Sequence, residues 1–163
     1  MKYLALDQAL KLTGYAYYEN KELKSWGTLE TNATYNLEVR LGTLWKHLNI
    51  LHEKFEFEHI FFEDVQKQVN QDTYKRLCYV QAAIMLWCYY NDMKYTILSP
   101  SHWRKVIKDK HGISFGRKRE EQKAAARQFV QDYFSLSLGE DEADAVCLGL
   151  AGIEEYNYNR SAF

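Results

Sequence analysis

Residues 3–30, YLALDQALKLTGYAYYENKELKSWGTLE, decide the architecture of this 163-residue chain. Tyr3 to Asp7 alternates in side-chain size and stops at an acid. Thr13 to Glu19 (TGYAYYE) is aromatic and β-branched, and Leu23 to Glu30 (LKSWGTLE) follows after a short polar break. Runs of this kind joined by short connections predict a three-stranded antiparallel meander.

Downstream the period changes. From Thr34 to Phe55 the apolar residues Leu37, Leu41, Leu44, Leu48 and Leu51 recur every three or four positions, which predicts a long amphipathic helix. His59 to Asp64 (HIFFED) reads as a short buried strand, Asp72 to Tyr90 as a helix, and Tyr95 to Leu98 as a fifth strand closed by Ser99-Pro100. Helices over Ser101–Lys108 and Arg117–Tyr133 flank a glycine-containing loop, Lys110 to Gly116, and Glu140 to Glu155 forms the last helix. Strands reached across helices imply an α/β class, a five-stranded mixed sheet flanked by helices, built as one domain over residues 1–163.

Composition excludes several classes. With 47% apolar and 15% aromatic residues the chain is too rich for disorder. Cys78, Cys88 and Cys147 lie in apolar helical stretches without CxxC spacing, which supports neither a zinc site nor a disulfide framework. The opening Met1-Lys2-Tyr3-Leu4-Ala5-Leu6 meets an acid at Asp7, and no apolar run approaches the roughly 18 residues of a membrane span. A cytoplasmic, reduced setting with no membrane partner is the expectation.

The formal net charge of −1 hides a division along the chain. Residues 1–103 carry a net −1, residues 104–127 a net +6 and residues 128–163 a net −6. A basic segment set against an acidic one suggests two local tasks.

Asp7 ends what should be the central strand, where ligands gather in open α/β sheets; a strand-ending turn residue would look the same. Glu63 ends the apolar strand Ile60-Phe61-Phe62, and Asp64 beside it alternates to the other face. In the run Gly139-Glu140-Asp141-Glu142-Ala143-Asp144, the helix dipole accounts for acids in the first turn. It accounts poorly for Asp144, which shares the sheet-facing stripe with Asp141, Cys147 and Leu148. A carboxylate there is costly unless paired or bound to a cation. Asp7, Glu63 and the Asp141/Asp144 pair make an oxygen-only ligand set suited to magnesium or manganese rather than zinc.

These pieces together resemble the RuvC-like Holliday junction resolvases of the RNase H-like superfamily, in particular the short bacteriophage type. The likeness rests on Leu4-Ala5-Leu6-Asp7 with Thr13-Gly14-Tyr15-Ala16, on Ile60-Phe61-Phe62-Glu63, on the Lys/Arg-rich lead into the fourth helix, and on Asp141-Glu142-Ala143-Asp144-Ala145. It spans essentially the whole chain in order and spacing. It implies an RNase H-like fold with strand order 3-2-1-4-5, a homodimer acting on branched DNA, and Asp7, Glu63, Asp141 and Asp144 as catalytic residues holding two magnesium ions, manganese substituting.

Two departures accompany it. Cellular members follow the first aspartate with Pro-Gly, whereas this chain has Gln8-Ala9, a difference expected not to touch a ligand. They also carry an aromatic three residues after the strand glutamate, where Gln66 stands here. The family's two functional basic positions fall near Arg104 and near Lys118 or Arg119.

Within the basic block, Arg104, Lys105, Lys108, Lys110, Arg117, Lys118 and Arg119 are the expected DNA-binding residues, since Gly112 and Gly116 let such a loop lie along phosphates. A solvated helical face would need no partner. Trp103 reads as a core residue, and the aromatic helix Leu77 to Tyr90 as core plus subunit contact. The function expected is a metal-dependent, structure-selective endonuclease resolving Holliday junctions, Y-junctions and flaps. The alternatives are a non-catalytic branched-DNA binding module and an RNase H-like nuclease acting on RNA/DNA hybrids.

Overall fold

The computed structural model describes residues 1–161. Its strands are β1 (Lys2–Asp7), β2 (Leu12–Glu19), β3 (Glu22–Glu30), β4 (His59–Glu63) and β5 (Lys94–Leu98). Its helices are α1 (Leu37–Phe55), α2 (Gln71–Tyr90), α3 (Pro100–His111), α4 (Arg119–Phe134) and α5 (Glu140–Ser161). The strands form one sheet in the order β3-β2-β1-β4-β5, with the first three antiparallel and β4 and β5 parallel to β1. The architecture is therefore the mixed five-stranded α/β sheet expected from the sequence.

Strand alternation divides the core in two. Leu4, Leu6, Ile60 and Phe62 pack beneath α1 and α2 with Leu44, Leu48, Val80, Ile84 and Trp87. Tyr3, Ala5 and Phe61 face the opposite way, against Trp103, Ile107, Val130 and the buried length of α5. The same alternation carries Asp7 and Glu63 to the α5 side. Helix α5 lies close on the sheet because its glycines have no side chain. A methyl group on Gly149 would stand 2.9 Å from the Ala5 Cβ, and one on Gly152 2.5 Å from the Phe61 ring.

Boundaries differ from the sequence expectation where caps decide them. Helix α1 starts at Leu37 because the Asn36 side chain accepts the Val39 amide at 3.2 Å. Helix α3 runs on to His111 and stops where Gly112 adopts φ 72°, so Lys110 and His111 belong to the helix, not to the loop. Helix α5 continues past Glu155 to Ser161. Cys78 is half-buried, Cys88 and Cys147 are buried, and all three are free. Among the described residues no helix is long and apolar enough to cross a membrane.

Candidate active site

The parallel register sets Leu6 beside Phe62 and brings the carboxyl ends of β1 and β4 together. One step further, where the ladder stops, the Gln8 side chain continues it. Its Oε1 accepts the Glu63 amide at 3.1 Å and its Nε2 donates to the Glu63 carbonyl. The expectation that Gln8 stands clear of any candidate ligand is therefore corrected: this buried amide clamps the backbone of Glu63.

Helix α5 supplies the other wall. Its first turn reaches the sheet edge over Gly14, the residue paired with Asp7 in β2. Asp7, Glu63, Asp141 and Asp144 then line one cleft of about 550 Å³, together with Arg104 and Lys123. All four acids singled out from the sequence thus open on the same space.

Their environments differ. Asp7 has its pKa pushed well up, chiefly by burial and then by the Asp144 and Glu63 carboxylates; the Lys123 charge opposes this. Burial raises Glu63 as well, against the Trp103 hydrogen bond and the Arg104 charge. That bond runs from the Trp103 Nε1 to the Glu63 Oε2 at 2.8 Å. Trp103 is only 1% exposed and packs edge-on to Phe115, so a core residue also orients a cleft carboxylate. Asp144 is 5% exposed, and burial raises its pKa although the Lys123 ammonium is ion-paired to its Oδ2.

A mutually repelling set of carboxylate oxygens is the donor chemistry of a hard divalent cation. In this arrangement no three of the acids among the described residues stand close enough to grip one ion together. The Lys123 ammonium holds part of the place a cation would take: it is ion-paired to Asp144, and against the opposing effect of burial its pKa is raised by Asp144 first and then by Asp7 and Asp141. The donor set fits magnesium in kind.

The basic residues separate. Arg104 and Arg119 line the cleft. The Arg104 guanidinium lies 4.8 Å from the Trp103 ring centroid, and its Nε is buried without a hydrogen-bond partner among the described residues. Lys105 turns to Asp109 on the exposed flank of α3, and Lys108 is exposed. Lys110 points the other way, over the Tyr158 ring of α5 at 5.8 Å. Arg117 and Lys118 are exposed in the turn before α4, where their backbone amides donate to the Glu121 carboxylate. Of the alternative pair, Arg119 is the one in the cleft. Lys123 escaped the sequence reading as a site residue. The available signal was its position one turn beyond Arg119 and three residues before buried Ala126, on the inward face of α4. His111 pairs with Glu154 at 3.1 Å.

No family model and no curated protein matches the chain. Solved structures do. Thermus thermophilus RuvC in complex with Holliday junction substrate superposes with a TM-score of 0.77 at 11% identity, over 96% of each chain. Thermus thermophilus RuvC gives 0.74 at 13% identity, over 97% of each chain. The yeast mitochondrial Holliday junction resolvase Ydc2 gives 0.63 at 15% identity, over 99% of this chain and 84% of that one.

The chain therefore has an RNase H-like fold. Within that class its architecture is RuvC-like, superposing over 96–97% of each RuvC chain.

Proposed function

We propose that this protein is a metal-dependent, structure-selective endodeoxyribonuclease that resolves branched DNA. One observation carries the reading: Asp7, Glu63, Asp141 and Asp144, from three separate elements, line a single cleft with Arg104, Arg119 and Lys123 on a RuvC-like frame. Asp7, Glu63, Asp141 and Asp144 would hold two magnesium ions, with manganese able to substitute; ions so held supply an activated water and stabilise the leaving oxygen of a phosphodiester.

The chain's own groups perform the rest. Trp103 and Gln8 fix Glu63 from its side chain and its backbone, so its carboxylate is held in one orientation in the cleft. Arg104 and Arg119 donate to phosphate oxygens and hold the scissile group in line for attack. Once Lys123 leaves Asp144, its Nζ–H groups become donors to the same phosphate, whose charge grows during displacement. Attack of water on phosphorus breaks the P–O3′ bond and leaves a 5′-phosphate and a 3′-hydroxyl.

Paired nicks need two such clefts, and the outer face of α2 supports a homodimer. Tyr79, Ala82, Leu86 and Tyr89 recur at spacings of three, four and three, and the large residues are 46%, 54% and 80% exposed. A seam of this kind is self-complementary about a two-fold axis. Gln66 lines the cleft at the position where cellular relatives carry an aromatic, which supports a relaxed sequence preference, and Gln8-Ala9 after the first aspartate supports a bacteriophage-type enzyme acting in its host's cytoplasm.

Competition between a four-way DNA junction and an RNA/DNA hybrid, in magnesium, tests the substrate class. Preferential nicking of the junction is expected; preferential cleavage of the hybrid's RNA strand would overturn the assignment to branched DNA.

A further inference from the structure

A second pocket, of about 520 Å³, lies between the first turns of α1 and α2 and is lined by Tyr35, Arg40, Asp72, Lys75, Arg76 and Tyr79. Arg40 is only 7% exposed. Among the described residues its guanidinium makes one hydrogen bond, from Nε to the Thr31 Oγ1 at 3.0 Å, and that hydroxyl is itself anchored on the Leu10 carbonyl. Among the described residues no carboxylate stands within 4.0 Å of Arg40, Lys75 or Arg76. Three cations against the single acid Asp72 leave an excess of positive charge around a largely buried arginine. A buried charge without a counter-ion is costly, and an arginine fork matches the oxygens of a phosphate.

Both pockets border α2 near its start. Thr73 and Leu77 line the acidic cleft from one flank, while Lys75, Arg76 and Tyr79 line this pocket from the other. A nucleic-acid strand leaving the cleft across the first turns of α2 therefore arrives at Arg40. We propose that this pocket is a second phosphate site, which takes a backbone phosphate of the bound DNA away from the scissile bond. Tyr35, 59% exposed, offers a ring to the adjoining sugar or base. The inference rests on the reading of the cleft as a nuclease for branched DNA.

The test is fluorescence anisotropy of a labelled four-way junction in EDTA across a potassium chloride series, with wild type, Arg40→Met and the double variant Lys75→Ala/Arg76→Ala. Each variant should bind about tenfold more weakly, and its log–log salt slope should fall by about 0.9, the value for one phosphate lost. Thermal unfolding confirms that Arg40→Met folds, and the exposed double variant decides the matter if it does not. Junction binding by wild type with an unchanged slope in the double variant overturns the pocket and leaves the cleft intact. A wild type that binds no junction overturns the reading beneath it. Inorganic phosphate that stabilises wild type but not the double variant, with junction slopes equal, would assign the pocket to a free anion instead of DNA.

Discussion

The Asp141 backbone lies directly over Gly14: a methyl group on Gly14 would stand 2.1 Å from the Asp141 carbonyl oxygen and 2.4 Å from its carbonyl carbon. Gly14 is also the β2 partner of Asp7. The absence of one side chain thus lets the first turn of α5 close on the sheet edge where the first acid stands. Gly14→Ala must push that turn away, and with it Asp141 and Asp144. We expect a loss of about 1–3 kcal/mol in stability and at least a tenfold loss of junction nicking, measured by thermal unfolding and by a nicking assay. The control Gly42→Ala, where nothing lies within 4 Å and the helix is exposed, should gain up to about 1 kcal/mol.

Trp103→Phe removes the indole donor on Glu63 and keeps most of the packing. It should cost about 1 kcal/mol in stability and raise the magnesium concentration needed for half-maximal nicking. An unchanged magnesium requirement would show that the hydrogen bond does not position Glu63.

Lys123→Met leaves the Asp144 carboxylate buried without its partner. In EDTA the variant should lose about 3–5 kcal/mol. Magnesium should restore more stability to it than to wild type, because an ion then supplies the missing charge. Equal stabilisation of the two proteins by magnesium would contradict the view that Lys123 stands where a cation belongs.

His59 tests the core behind the site. It is 3% exposed, bonded to the Thr96 hydroxyl at 2.9 Å, and its pKa is pulled down to about 4 by burial and by the Lys94 charge. The unfolded chain takes up that proton near pH 6.5. The stability tied to neutral His59 is therefore fully present above about pH 6.5, drains away as the pH falls, and is lost below about 4. The total is about 3 kcal/mol. Urea unfolding of wild type and His59→Gln across that window should show the steeper fall in wild type; parallel curves would remove His59 as the cause.

Much of this arrangement is legible in the sequence because it follows from short-range periodicity. Alternation in β1 and β4 puts Asp7 and Glu63 on one face, and the helical stripe of α5 makes Asp144 anomalous. What escaped depends on contacts between distant elements. The Gln8 side chain meets Glu63 55 residues away, and the Trp103 indole reaches it across 40. Nothing local marks Lys123 apart from the eight other basic residues between 104 and 127; only its placement opposite α5 does. Lys110 went astray because the helix outlasts its expected end by three residues, which turns that side chain toward Tyr158.

The central claim is that the four acids form a nuclease site for branched DNA. The most direct measurement is nicking of a synthetic four-way junction in magnesium by wild type and by Asp7→Asn, with junction binding and thermal unfolding of both proteins followed in parallel. The account predicts paired nicks from wild type, and from Asp7→Asn a folded protein that binds the junction but cuts it at least a hundredfold more slowly. A wild type that binds the junction and leaves it whole, or an Asp7→Asn variant that cuts at the wild-type rate, would contradict it.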